Sequence, residues 1–197
     1  AERMARMLGN LAGAAQGRAD ASPMLAGTGK DQVHLVVAMT ANRGLCGGFN
    51  SNINRATARL LEQERRSKRQ AVLVAVGRKA QAYFRHYGED IEGRSYPAPD
   101  DKNLVDLSKK IASTAMELFL SEDPAVRVDR VVLLYNHFVS VLNQEPRETG
   151  NQGGATGSAY LCANAEQAAA HVVGGDDRVD GGLQLLAAAS NKLLADR

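Results

Sequence analysis

Short apolar runs alternate along this chain with segments whose apolar residues recur three and four positions apart. Each run is apolar at successive positions, which predicts a strand that is buried on both faces. The predicted strands occupy residues 33–39, 71–77 and 130–136, and an alternating pattern continues over 138–143. The segments between them have the periodicity of helices that bury one side. The predicted helices occupy residues 51–66, 78–87 and 104–120.

Buried strands separated by helices indicate an α/β fold. We expect a Rossmann-like layered domain over residues 31–149, with a mostly parallel sheet covered by helices on both sides. Residues 96–100 carry two prolines and are predicted to form a loop.

The two ends of the chain differ from this body. Residues 1–16 place Met4, Met7, Leu8 and Leu11 at helical spacing without an N-cap residue before them, so we expect a helix that is cut at its start. Residues 150–197 hold eight of the nineteen glycines, and their acidic residues outnumber their basic ones. This segment is predicted to be Gly/Ala-rich, with two short helices and a solvated acidic loop at Asp176, Asp177 and Asp180.

Composition excludes several classes of protein. Hydrophobic residues make up 44% of the 197 and charged residues 23%, which are values typical of globular chains. The net charge of +2 is too balanced for a dedicated nucleic-acid binder. No apolar run approaches the length of a membrane-spanning helix, so we expect no insertion into a membrane. The four histidines and two cysteines lack zinc-ligand spacing, and no metal is expected.

The strongest candidate for a ligand-binding segment is Thr-Ala-Asn-Arg-Gly-Leu-Cys-Gly-Gly-Phe-Asn at residues 40–50. It follows a predicted strand and precedes a predicted helix, and ligands of doubly wound sheets bind at the carboxyl ends of strands. Gly44, Gly47 and Gly48 could let backbone N–H groups approach a phosphate. A small nucleotide-binding protein or enzyme is therefore one hypothesis.

The details of this segment favour a structural turn instead. The glycine spacing is G-x-x-G-G, which matches neither the P-loop nor the dinucleotide fingerprint. The second strand ends in Gly77-Arg78-Lys79, with no acidic residue placed to hold a ribose. We expect Gly47 and Gly48 to form a tight turn that brings helix and sheet close, with no catalytic residue and no cofactor site.

Three other candidates have similarly plain interpretations. Cys46 stands where a thiol could be activated at a helix N-terminus, but we expect a small buried cysteine. The basic cluster at residues 65–69 is expected to be a solvated helix end that complements the helix dipole. His137 follows a strand without a paired acid, and packing is its expected role.

Residues 40–52 resemble the signature of the F-type ATP synthase gamma subunit. Three further segments resemble that family in the same order along the chain: residues 1–11 the end of its first long helix, residues 74–79 its second strand, and Tyr-Asn-His-Phe-Val-Ser at 135–140 a strand with the pattern Tyr-Asn-x-Phe-x-Ser. The resemblance covers about residues 1–146.

The resemblance implies a Rossmann-like domain set on a long antiparallel coiled coil, of which residues 1–16 would be the remnant of the N-terminal stalk helix. Such a subunit is the non-catalytic rotor of the F1 central stalk, and it couples proton-driven rotation to ATP synthesis or hydrolysis. The implied partners are the epsilon subunit, the alpha/beta catalytic hexamer and the membrane c-ring. The implied location is peripheral, at the cytoplasmic face of the bacterial inner membrane or the matrix face of an equivalent membrane.

The resemblance also assigns a subunit interface to Asn42, Arg43, Gly44 and Leu45, where the family's loop reaches toward the catalytic beta subunits. Arg43 is the expected ion-pairing contact, and Asn42 stands where an acidic residue is common. Residues 150–197 depart from the family, since nothing in them resembles its long C-terminal helix.

Overall fold

A computed structural model describes residues 28–98, 103–140 and 143–150. The elements of this part are β1 (Val33–Met39), α1 (Phe49–Arg66), β2 (Gln70–Val76), α2 (Arg78–His86), β3 (Ser95–Tyr96), α3 (Leu104–Leu120), β4 (Arg130–Ser140) and β5 (Asn143–Gly150). The predictions for residues 1–16 and for the segment after residue 150 lie outside the described residues.

The described strands form one five-stranded sheet in the order β3-β2-β1-β4-β5. The strands β1, β2, β3 and β4 run parallel, and β5 pairs antiparallel with β4. Central β1 pairs along its whole length with β2 and over five residues with β4. The predicted α/β architecture with a mostly parallel sheet is therefore confirmed.

Helices cover both faces of this sheet because successive strand residues point to opposite sides. On one face Val36 and Ala38 pack in a hydrophobic cluster with residues of α1 and α2. On the other face Leu35, Val37 and Met39 pack in a second cluster with residues of α3. Strands that are buried on both sides are apolar at most positions, and in β1 the one polar residue is His34.

The connections place a topological switch point beside the central strand. The chain runs from β1 to β2 to β3 on one side of the sheet, then returns through α3 to β4 on the other side of β1. The carboxyl ends of β1 and β4 thus flank the crevice where ligands of open α/β sheets usually bind. The segment at residues 40–50 begins at this crevice.

Two strands depart from the predictions. Tyr96, predicted to lie in a loop, ends the two-residue β3 at the edge of the sheet. The sequence of β5, Asn-Gln-Glu-Pro-Arg-Glu-Thr-Gly, has no apolar alternation, and its residues 145–148 are exposed. It forms a strand because β4 supplies hydrogen-bonding partners, so its own hydrophobic pattern could not reveal it.

Candidate functional site

Residues 40–48 form a Gly-rich loop between β1 and α1, and the loop divides into two parts. Thr40 is buried, and Ala41 and Asn42 are half-buried. Residues 43–48 are exposed. The first part is held by α2, so it has a structural role. The second part faces outward, so it is available to a binding partner.

The anchored part caps α2. Gly77, the N-cap residue of α2, makes no side-chain capping bond. The first three N–H groups of the helix instead donate to three consecutive residues at the end of β1. These bonds run from Arg78 N to Asn42 Oδ1 (3.2 Å), from Lys79 N to Ala41 O (3.3 Å) and from Ala80 N to Thr40 Oγ1 (2.9 Å). The helix end is therefore satisfied by a neighbouring strand.

Close approach between helix and sheet occurs at Gly77. Its φ is +92°, and a Cβ there would lie 2.2 Å from Thr40 O, a distance that admits no side chain. The expected turn before α1 is present: Phe49 N donates to Cys46 O (3.2 Å), and Gly47 has a φ of +56°. A Cβ on Gly47 would meet nothing within 4 Å, so this glycine serves the backbone conformation and not the close packing that the sequence suggested.

Two asparagine side chains brace the loop. Asn42 Oδ1 also accepts from Ala98 N (2.9 Å), and Asn42 Nδ2 donates to Ala98 O (3.4 Å). Asn50 Oδ1 accepts from Ala41 N (2.9 Å), and Asn50 Nδ2 donates to Arg43 O (3.0 Å). The amide of Asn42 is thus engaged inside the domain, although the sequence placed Asn42 with the outward-facing residues.

The switch-point crevice is bridged by a buried side chain. Asn136 on β4 donates from Nδ2 to Phe49 O, the first residue of α1, at 2.7 Å. On α1, buried Asn54 donates from Nδ2 to Lys79 O at 3.4 Å. These polar groups join the elements around the crevice, and that use leaves them poorly placed to hold a phosphate. Neither asparagine was predicted to be a site residue: Asn136 entered the sequence analysis only as the end of a predicted strand and through the Tyr-Asn-x-Phe-x-Ser pattern, and Asn54 only as part of a predicted helix.

The exposed part presents a cation and an apolar side chain. Leu45 is fully exposed and has a left-handed φ of +60°, which costs a branched residue about 1–2 kcal/mol. Arg43 is exposed and forms no ion pair within the part of the chain that the structure describes. Strain and exposure retained together at one loop tip are typical of a functional position.

Cys46 is exposed, which contradicts the expectation of a buried cysteine. Its Sγ lies 2.9 Å from Asn50 Nδ2, so the loop positions it without enclosing it. Among the described residues no group of three or more His, Cys, Asp and Glu side chains could hold a metal ion. No helix of this described part is long and apolar enough to cross a membrane.

The basic cluster at residues 65–69 is more engaged than the sequence suggested. Arg65 pairs with Glu89 (2.5 Å), Arg66 with Glu62 (3.0 Å), and Arg69 with the buried carboxylate of Glu64. Lys68 is exposed at a left-handed φ of +58°. The cluster is therefore partly an ion-paired end of α1, and only partly a solvated one.

A buried histidine near the opposite end of β1 was also missed. His34 is fully buried; its Nε2 lies 2.7 Å from Asp31 Oδ1 and its Nδ1 lies 3.1 Å from Glu64 Oε2. The hydrogen bond to His34 holds the pKa of Asp31 below its usual value. Burial raises the pKa of Glu64, but the bond from Arg69 and the nearby charges outweigh burial and leave this pKa lowered. We call Asp31, His34, Glu64 and Arg69 the charge cluster.

Comparison with known proteins adds independent findings. A family model described as ATP synthase matches residues 1–150. The chain is 42% identical over 148 residues to the ATP synthase gamma chain of Rhodospirillum rubrum, covering 73% of this chain and 47% of that one. It is 40% identical over 154 residues to the ATP synthase gamma chain of Granulibacter bethesdensis, covering 76% and 49%. The chain thus spans about half the length of the curated relatives it matches.

A solved structure shares the fold. The central stalk and c-ring structure of Tetrahymena thermophila mitochondrial ATP synthase contains a chain that superposes with a TM-score of 0.50 at 18% identity. The match covers 93% of this chain and 82% of that chain. At this identity the likeness concerns the fold alone.

Proposed function

Because the chain belongs to the ATP synthase gamma-chain family, we propose that it acts as the central-stalk subunit in the F1 part of an F-type ATP synthase. In this role it couples proton-driven rotation to ATP synthesis or hydrolysis on the catalytic subunits. It contributes interfaces to the complex, and it has no active site of its own.

The observation that carries this proposal is the division of the Gly-rich loop. Residues 40–42 are fixed to α2 and to Ala98, while Arg43 and Leu45 face outward. A rigid support beneath an exposed arginine and leucine lowers the entropy that a binding partner must remove. Arginine is also enriched at protein interfaces, whereas a nucleotide site would need free polar groups at the strand ends.

Within the proposed interface each residue has its own role. Arg43 makes an ion pair with an acidic group of a catalytic beta subunit, and Leu45 fills an apolar depression beside it. Gly44 lies beside Lys79 of α2, and a Cβ on it would be at ordinary contact distance, 3.4 Å, from Lys79 Nζ. Asn42 braces the loop from within, and Gly47 and Gly48 form the turn that leads into α1.

The proposed partners are the alpha/beta catalytic hexamer, the epsilon subunit and the membrane c-ring. The relatives' names and the central-stalk match support membership of such a complex. The proposed location is peripheral, at the cytoplasmic face of the bacterial inner membrane or the matrix face of an equivalent membrane. Neither nucleic acid nor direct membrane insertion is part of this role.

The experiment is binding of the purified chain to a catalytic hexamer reconstituted from the same source. We expect Arg43→Ala to weaken binding by about fivefold, the upper range for a partly exposed ion pair. The free energy of unfolding should change by less than about 1 kcal/mol, because Arg43 contributes nothing to the core.

Lys30→Ala is the matched control, since Lys30 is exposed before the amino end of β1, whereas the Gly-rich loop follows its carboxyl end. It should leave hexamer binding unchanged. A large fall in the melting temperature of Arg43→Ala would show instead that Arg43 is structural. If the unaltered chain binds neither the hexamer nor the epsilon subunit, the central-stalk role is wrong for this chain.

A further inference from the structure

The outward sides of α1 and α2 carry a half-buried and an exposed tyrosine ring. Tyr83 packs against the hydrophobic cluster under both helices, as does Ala56 on α1. Tyr87, at the end of α2, stacks on Tyr83 with ring centroids 4.6 Å apart and an interplanar angle of 39°. The side chain of Tyr87 is nevertheless 64% exposed. A large aromatic side chain that is anchored on one side and exposed on the other is typical of an interface.

Three exposed cations lie on the same two helices. Arg55 and Arg59 are exposed one turn apart on α1, and Lys79 is exposed one turn before Tyr83 on α2. Among the described residues Arg55 donates to two neutral acceptors, Asn52 Oδ1 (2.9 Å) and Ser51 O (3.3 Å). We call Arg55, Arg59, Lys79, Tyr83 and Tyr87 the α1–α2 strip.

The charge of the strip is not balanced by its surroundings. In the described part of the chain, no carboxylate forms an ion pair with Arg55, Arg59 or Lys79. The acids on this side are engaged elsewhere, since Glu62 pairs with Arg66 and Glu89 with Arg65. Neither helix has an acidic residue in its first turn. Three cations facing solvent without a carboxylate therefore leave a complementary site for negative charge.

The two helices are in contact beneath the strip. Asn54, which neighbours Arg55 on α1, donates from Nδ2 to Lys79 O (3.4 Å) on α2, and Ala56 and Tyr83 pack against the same hydrophobic cluster. The cations and the rings form one surface, which a single partner segment could cover.

We propose that the α1–α2 strip binds an acidic helical segment of a partner protein, with its carboxylates one turn apart to match Arg55 and Arg59. Tyr87 supplies the apolar anchor, and Lys79 extends the site toward the exposed Leu45. A protein segment fits better than a polynucleotide, because the chain's net charge of +2 lacks the basic excess that is typical of nucleic-acid binders. This inference does not depend on the central-stalk role, since Arg55, Arg59 and Tyr87 all lie outside the Gly-rich loop.

The test measures binding of the full chain to a fluorescent helical peptide that carries glutamate at every fourth position, against a peptide with lysine at those positions. We expect the glutamate peptide to bind and the lysine peptide to fail. The double variant Arg55→Ala/Arg59→Ala should weaken binding by about tenfold, and Tyr87→Ala by a similar factor. Raising the salt concentration should also weaken binding of the glutamate peptide by the unaltered chain.

Arg66→Ala is the matched control, because it removes an exposed arginine from the same helix that Glu62 already neutralises. Its affinity should stay within about twofold of the unaltered chain. Equal losses in Arg66→Ala and the double variant would overturn the proposal, as would no binding at millimolar peptide. Tighter binding of oligothymidylate or of anionic vesicles through Arg55 and Arg59 would also overturn it, because the partner would belong to another class. Failure of this test would leave hexamer binding by Arg43 untouched.

Discussion

Thr40 connects three elements through one side chain. Its hydroxyl donates to Val76 O (3.0 Å) on β2 and accepts from Ala80 N (2.9 Å) in α2. Thr40→Val would keep the shape of the side chain but leave the buried Ala80 N–H without a partner. We expect a loss of about 1–3 kcal/mol in the free energy of unfolding, measured by urea denaturation.

Thr57 provides the comparison for this prediction. It is fully buried on α1, and its Oγ1 has no hydrogen-bond partner among the described residues. Thr57→Val therefore removes a desolvated hydroxyl without orphaning another group, and stability should be unchanged or slightly raised. Equal losses at both positions would show that the capping bond to Ala80 is not what makes Thr40 important.

Gly77 permits the contact that Thr40 makes. Gly77→Ala combines a φ of +92° with a Cβ that would lie 2.2 Å from Thr40 O, and backbone cannot yield as a flexible side chain does. We expect a loss of more than about 4 kcal/mol, seen as failure to fold or as a collapsed melting temperature.

Gly88→Ala separates strain from collision. Gly88 has a φ of +73°, but a Cβ there would meet nothing within 4 Å. The free energy of unfolding should fall by only about 1–2 kcal/mol, the cost of placing alanine in a left-handed conformation. If both variants lose the same stability, the close approach at Gly77 is not the reason for its glycine.

At the scale of elements, the charge cluster joins the end of α1 to the start of β1. The pKa values of Asp31 and Glu64 in the folded protein lie below their ordinary values of 3.8 and 4.5. The unfolded chain therefore takes up protons first on acidification. The stabilisation is fully present above about pH 4.5 and is lost as the pH falls through the folded pKa values.

Unfolding by urea at a series of pH values would measure this loss. Glu64→Gln removes one of the two depressed carboxyls, so the variant should be less stable near neutral pH and should depend less on pH between about 5 and 3. Arg66 pairs with the exposed Glu62, so Glu62→Gln serves as the control and should keep the original pH dependence. A parallel curve for Glu64→Gln would contradict the assigned role of the cluster.

The elements that the sequence predicted are those whose own residues show the apolar pattern of a buried strand or helix. The observed bounds of β1 and α3 coincide with the predicted 33–39 and 104–120, because each has an apolar pattern of one period. The β5 strand has no such pattern and depends on pairing with β4. Local sequence reveals periodicity, but it does not reveal which edge will accept another strand.

The same reasoning predicted where the candidate site lies along the chain. It did not predict the hydrogen bonds that hold the site together. A Gly-rich segment after a buried strand marks the loop. The bond between Thr40 and Ala80 joins residues 40 positions apart, and periodicity carries no information about such a pair. The same limit hid the contact of His34 with Glu64, which connects a strand to the far end of the following helix.

At the scale of the whole molecule, β1 is the strand on which both hydrophobic layers depend. Its alternate residues enter the clusters on opposite faces of the sheet, and it pairs with β2 on one edge and β4 on the other. The Gly-rich loop continues directly from this strand. Arg43 and Leu45 are therefore carried by a loop that is continuous with the central strand of the sheet.

Val36→Asp tests this dependence. Val36 is fully buried in β1 opposite Val132 of β4, so an aspartate there would place an unpaired charge between two layers of apolar side chains. The cost exceeds the whole stability of a typical domain, and we expect no cooperative unfolding transition in circular dichroism. Val126→Asp introduces the same charge at a valine that is 47% exposed and should unfold like the unaltered chain. A folded Val36→Asp variant would mean that the sheet does not have β1 at its centre.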